Sequence, residues 1–243
     1  MDTFAFLDLA IFLAAAFAAA LITGLAGFAF GVIAAGPWLH VLTPTRCATL
    51  IVAFGLLIQS YSVWKLRAAI RPRRLAPFLI GSAIGVPLGV ELLRLVSGSH
   101  MRAATGVVLI LFAVQALLRP KFAALKAGAV ADAGVGALGG LLGGATGLAG
   151  IVVTIWSGLR GGPKDEQRAV FQPTGVATFV LIALWLGGTG TIDRTVAVWF
   201  LWGLPAILAG TWAGLKLYGR LDDASFRRVV LGLLLLSGAS LLF

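Results

Sequence analysis

The sequence predicts an all-α polytopic membrane protein of two inverted-topology repeats. Each repeat reads as a broken, re-entrant helical hairpin followed by three transmembrane helices. Three observations carry this reading. First, 60% of the 243 residues are hydrophobic and only 12% are charged, with a mean hydropathy of +1.02. A soluble domain of this size has no use for so much apolar surface. Second, the pentapeptide Thr-Gly-Leu-Ala-Gly occurs at residues 23–27 and again at 146–150, an offset of 123. Third, the basic residues are grouped in a few short clusters between apolar runs, as positive-inside loops are. A transmembrane barrel would instead alternate apolar and polar residues.

The elements follow in order. A Gly-interrupted apolar segment covers about residues 4–42, with no Lys or Arg anywhere in 1–45. Three uninterrupted helices are expected near 47–65, 75–96 and 102–118. The pattern then restarts with a second interrupted segment near 128–159, inside the Lys- and Arg-free stretch 127–159. Helices near 168–186, 196–216 and 226–243 complete it. Residues 1–120 thus form the first repeat and 124–243 the second, within one integral membrane domain. Gly81 corresponds to Gly203, and Gly85 and Gly89 to Gly210 and Gly214 after a small insertion. These six glycines read as helix-packing positions, since small residues four apart let membrane helices approach closely. Pro72, Pro120 and Pro163 fall between helices, where proline costs little.

Charge placement decides the topology. If each interrupted segment crossed once, the basic residues would divide almost evenly, 9 to 10. If each is a hairpin returning to its starting side, the stretches 65–75, 119–127, 160–168 and 216–228 share one side. That side then holds 15 of the 19 basic residues, leaving Arg46, Arg94, Arg102 and Arg194 opposite. The hairpin arrangement satisfies the positive-inside rule. It puts both termini outside the cytoplasm and inverts the halves relative to each other. The arms at about 28–42 and 147–159 favour at least one arm short of a span, because a crossing takes about 20 residues.

The breaks suggest the chemistry. Gly-rich interruptions at corresponding places in two halves point to a transporter binding site near the bilayer midplane. Helices restarting after Gly24 and Gly147 would direct free N–H groups and partial positive charge into the break. Two such ends facing each other make an anion site without a buried Lys or Arg. Thr23 and Thr146 would add hydroxyls, and Gly24, Gly27, Gly147 and Gly150 would let backbone approach the ligand. Gln172, one turn inside the next helix, and Thr49, at the repeat offset, are further binding candidates; Gln59 is a weaker one. Arg160 and Arg168 could draw anions into an inner vestibule, whereas Lys164 reads as a positive-inside anchor. Asp8 and Asp132 occupy nearly symmetric places in the hairpins. They are candidates for proton coupling, with a water-interface position as the simpler alternative. His40, Cys47 and Trp156 read as packing or interface residues.

Other functions find little support. The net charge of +10 belongs to the loop clusters, so no nucleic-acid partner is expected. The single Cys47 excludes an intrachain disulfide and a multi-cysteine metal site. No P-loop, His-Glu-x-x-His or nucleophile elbow occurs, so neither an enzyme nor a cofactor is expected. The N-terminus lacks the basic region of a cleaved signal, and the first apolar run is expected to persist.

The chain resembles the TauE/SafE family of sulfite exporters, also called TSUP, over nearly its whole length. The resemblance rests on Gly24-Leu-Ala-Gly-Phe-Ala-Phe-Gly31, Gly139-Gly-Leu-Leu-Gly-Gly-Ala-Thr-Gly-Leu-Ala-Gly150 and Gln167-Arg-Ala-Val-Phe-Gln172. It implies secondary transport of small sulfur- or carbon-containing anions, such as sulfite, sulfoacetate or thiosulfate, in a bacterial inner membrane. The expected partners are a small anion and the lipid bilayer, with a homodimer left open. An anion channel and a non-transporting membrane scaffold or assembly factor are the alternatives.

Overall fold

The computed structural model describes residues 3–26, 29–67, 70–118, 125, 127–188, 191, 193–217 and 223–242. Among the described residues there are ten α-helices and no strand. They are α1 (Thr3–Ala26), α2 (Phe30–Val41), α3 (Pro44–Leu66), α4 (Pro72–Leu95), α5 (Gly98–Leu118), α6 (Ala129–Thr146), α7 (Ile151–Arg160), α8 (Lys164–Gly188), α9 (Arg194–Leu217) and α10 (Asp223–Ser240). Six of them are long and apolar enough to cross a membrane: α1, α4, α5, α6, α8 and α9.

Local chemistry sets the boundaries. Pro44 and Pro72 open α3 and α4, where the missing N–H is not needed. Thr43 caps α3, its hydroxyl accepting from the Arg46 N–H at 3.4 Å. Asp193 stands before α9 and accepts from the Val196 N–H at 2.7 Å. That bond, with Arg46 at 3.3 Å behind it, holds the Asp193 carboxyl below the usual carboxylate range.

Both interrupted segments are hairpins, and their arms are unequal. The long arms α1 and α6 have 24 and 18 residues. The short arms α2 and α7 have 12 and 10, or about 18 and 15 Å of helix. A hydrocarbon core of about 30 Å is out of reach for either short arm. The first hairpin is closed by aromatic packing. Trp38 Nε1 donates to the Phe12 carbonyl at 3.1 Å, and the two rings stack at 4.7 Å. The second is closed by charge, through Arg160 and Asp132 at 2.7 Å.

The hairpins open toward opposite ends of the bundle. One end gathers the α2 terminus, the start of α3, the α4–α5 turn, the start of α9 and the α10 terminus. His40 meets Ser240 there, Arg46 meets Asp193, and Ala48, Leu93 and Met101 pack with Ala145. The other end gathers the start of α6, the α7 terminus and the starts of α4 and α8. There Arg74 meets Glu166 and Asp132 meets Arg160.

Small residues set the closest helix pairs, α4 with α6 and α1 with α9. A methyl group at Gly81, Gly85 or Gly89 would overlap the carbonyls of Ala133, Ala137 and Leu141. Gly136, Gly140 and Gly144 make the reciprocal approach to Phe78, Ser82 and Val86. On α9, Gly210 and Gly214 lie against the Phe17 and Leu21 carbonyls. Because lipid tails give no hydrophobic drive between helices, such close backbone contact is what holds membrane helices together. Gly203 differs: its face meets the Phe54 and Phe12 rings, not backbone.

Candidate functional site

The second break is the sharper one. α6 ends at Thr146, and Gly147 turns left-handed at φ 79° while its N–H donates to Gly143 O at 2.7 Å. The Thr146 hydroxyl donates to Leu142 O at 2.7 Å and accepts from the Leu148 N–H at 3.3 Å. α7 then starts at Ile151, with Thr154 N–H to Gly150 O at 3.0 Å as its first full turn. The first break lies later than the pentapeptide suggests. α1 stays helical through Thr23, Gly24, Leu25 and Ala26, so no helix restarts after Gly24. Gly27 lies outside the described residues. Ala29 takes the left-handed conformation, φ 87°, and α2 begins at Phe30 with Ile33 N–H to Ala29 O at 3.1 Å.

The two restarting helices converge. A side chain at Gly31 would meet Ile51, Leu148 and the Gly147 carbonyl. The first turns of α2 and α7, from Ala29 to Val32 and from Gly147 to Ile151, line one cavity of about 40 Å³. Gln59, Phe112, Thr154, Phe171 and Phe179 complete its wall, and among the described residues no charged side chain belongs to it. Neither helix has a side-chain cap. The N–H groups of Phe30, Gly31, Val32, Val152 and Val153 precede the first i to i−4 bond of their helices and have no acceptor within them. Aligned peptide dipoles add about half a positive charge at each such end. At roughly 10–15 Å³ of such volume per water, the cavity holds about three waters or one small oxyanion.

The structure sorts the residues singled out from the sequence. Gly147 and Gly150 line the cavity, and Thr146 stands directly behind Gly147. Thr23 is buried within α1, its hydroxyl spent on Ala19 O at 2.7 Å. Gly24 faces the α9 backbone at Thr211, Gly214 and Leu215. Thr49 and Gln172 are buried on the packed helices α3 and α8, but neither belongs to the cavity wall. Gln59 does belong to it, and it carries more of the site than its sequence context suggested. Ala29, Phe30, Gly31 and Thr154 were not singled out as binding residues, although the first three lie in the Gly24–Gly31 stretch that carries the family resemblance. The available signal was Gly31, a second glycine just past the repeat.

A second, larger cleft of about 500 Å³ opens at the basic end. Its wall includes Arg73, Arg74, Pro77, Phe78, Asp132, Trp156, Ser157, Arg160, Glu166 and Gln167. Arg160 Nη1 grips both Asp132 oxygens at 2.7 Å, and its Nη2 donates to Ala127 O at 2.9 Å. Trp156 Nε1 donates to Asp132 Oδ1 at 2.8 Å. Trp156 and Arg160 are one turn apart on α7, so they reach Asp132 from one face. Trp156 is therefore a ligand of the carboxylate, a role the sequence did not disclose. Arg160 lines the cleft but is committed to Asp132; Arg168 is not part of the wall. Asp8 is half-buried in the second turn of α1. Between cleft and cavity stands a buried apolar cluster of Phe78, Val153 and Phe171. Phe78 belongs to the cleft wall and Phe171 to the cavity wall.

No curated protein and no solved structure matches the chain. Residues 12–241 match the family described as sulfite exporter TauE/SafE, a span that includes both breaks, the small cavity and the basic cleft. The chain is a multi-pass membrane protein that belongs to the sulfite exporter TauE/SafE family.

Proposed function

We propose that the protein is a secondary transporter that carries a small sulfur- or carbon-containing oxyanion through the cavity between its two breaks. The observation behind this reading is the convergence of two uncapped helix N-termini on one cavity with no charged side chain. Backbone N–H groups there can hold an anion, and the absence of a fixed cation lets it leave again. The cavity's size favours an anion such as sulfite over a bulky organic one. Gly147 and Gly150 shape the site and Thr146 braces the turn. Thr23, Gly24, Thr49 and Gln172 act behind it, on the helices that position it.

The two halves serve as inverted repeats, residues 1–120 and 124–243, rocking about the shared site. The hairpins opening at opposite bundle ends support that reading. So does the pairing of each long arm with the other half's second plain helix, α1 with α9 and α6 with α4. The basic end faces the cytoplasm of a bacterial inner membrane, and both termini lie outside. The Phe78–Val153–Phe171 cluster closes the cytoplasmic route in this state. Because α7 carries both Val153 and the site's N-terminus, tilting it would open the cavity to the cleft. Asp132 couples that motion to protons, since its protonation releases Arg160 from α6.

Purified protein in liposomes should show saturable sulfite uptake that is accelerated by sulfite on the opposite side. Flux without such counterflow identifies a channel, and no flux of any small oxyanion leaves a scaffold. For orientation, a cysteine at Arg71 in a Cys47→Ser background should resist an impermeant thiol reagent applied outside intact cells. Labelling from outside reverses the assigned topology.

A further inference from the structure

The cleft at the basic end is more than ten times larger than the cavity between the breaks, about 500 against 40 Å³. Its polar groups are unevenly used. Asp132 is saturated by Arg160 and Trp156. Glu166 meets Arg74 across 3.4 Å at a solvent-exposed position, a contact of little strength. Arg73 has no ion pair or hydrogen bond among the described residues. Among the described residues, three guanidinium groups thus stand against two carboxylates, a surplus of one positive charge. Deeper in the same wall, Ser157 is 6% exposed and its buried Oγ has no hydrogen-bond partner among the described residues. A buried hydroxyl without a partner is rare in folded proteins and marks a place for a missing acceptor or donor. Phe78 and Trp156 give the wall an aromatic face flanked by Pro77 and Val170, while Gln167 is spent on the Gly162 carbonyl at 3.0 Å.

We propose that this cleft is a second ligand site, which takes an organic monocarboxylate with an apolar body. Its headgroup binds Arg73 on α4 and Ser157 on α7, and its body lies against Phe78 and Trp156. The surplus of one positive charge matches a monoanion. A benzene ring fills a cavity on the order of 150 Å³, so an aromatic acid fits here and is excluded from the cavity between the breaks. A ligand so placed bridges α4 and α7 and holds α7 against its neighbours.

Benzoate is the probe. Calorimetric titration into protein held in phosphatidylcholine nanodiscs, which offer no net-anionic headgroup, should give saturable one-site binding. Arg73→Gln should weaken it about tenfold, the scale of one charge-assisted contact. Ser157→Ala should also weaken it about tenfold, because its hydroxyl donates to an ionised carboxylate. Ser157→Ala removes a single oxygen, so it keeps the test sound if Arg73→Gln expresses poorly. Absence of saturable benzoate binding overturns the proposal, as does native affinity in both variants. Because benzoate is too large for the inner cavity, this result and sulfite counterflow succeed or fail separately.

Discussion

The same five residues, Thr-Gly-Leu-Ala-Gly, fold differently in the two halves. At 146–150 they form the break: Thr146 ends α6, Gly147 turns left-handed, and α7 starts after Gly150. At 23–26 they are still helix, and the turn is deferred to Ala29. Gly24 and Gly147 are therefore glycines for different reasons. Gly24 lies in the α1–α9 contact, where a methyl group would come within 2.9–3.1 Å of Thr211 O, Gly214 Cα and Leu215 N. Gly147 is needed for its backbone conformation, which L residues reach only at a cost of about 1–2 kcal/mol. A repeated motif thus marks where a break can form, and neighbouring helices decide on which residue it does.

Substitution of the two glycines separates these roles most strongly. Gly147→Val places a branched side chain in a left-handed conformation, 3.1 Å from Ala48 O and Ile51. It should abolish sulfite counterflow in protein that still reaches the membrane. Gly24→Val should instead reduce the amount of folded protein, because it pushes α9 away from α1. Counterflow normalised to membrane protein level distinguishes the two. If the Gly24 variant folds well and is inactive while the Gly147 variant transports normally, the site is misplaced.

The hairpins differ again in what closes them, aromatic stacking in the first and an ion pair in the second. Asp8 and Asp132 should differ accordingly. Asp132→Asn leaves Arg160 without its carboxylate and should abolish accumulation driven by a pH gradient while sparing counterflow. Asp8→Asn should change neither. Equal gradient-driven accumulation in native protein and the Asp132 variant removes Asp132 from coupling.

The smallest effect concerns the left-handed residues at the two breaks. Gly147 meets this conformation freely, but Ala29 carries a Cβ at φ 87°. Ala29→Gly should raise thermal stability in detergent by about 1 kcal/mol. A lower melting temperature would mean that the Ala29 methyl group contributes more through packing than its strained backbone costs.

Much of the architecture was legible because it follows from the bilayer. Apolar length and charge-free stretches mark the helices, and the expected positions differ from the observed ones by only a few residues. The grouping of basic loops selected the hairpin arrangement, since lysines and arginines are retained on one side. The glycines of α4 and α9 were readable as packing positions because their four-residue spacing keeps them on one helix face. Gly203 shared this reading, but it packs against the Phe54 and Phe12 rings and not against backbone, which its spacing does not show.

The site was legible only in outline. Gly147 and Gly150 declared themselves because helix-breaking residues inside hydrocarbon need a reason. Thr23 and Thr49 did not belong to the cavity wall, and the reason is local. A threonine hydroxyl within a helix can satisfy itself on the carbonyl one turn back, as both do here at 2.7 and 2.8 Å. Composition, apolar run length and charge grouping by themselves determined a multi-pass helical membrane protein with two broken hairpins. These are properties of each segment's exchange between water and lipid, and each segment carries them alone. Tertiary structure decided which residue turns at each break, which helix ends meet, and which polar groups are already used. Those depend on backbones from distant parts of the chain approaching within a few ångströms, and no single segment encodes its neighbour's position.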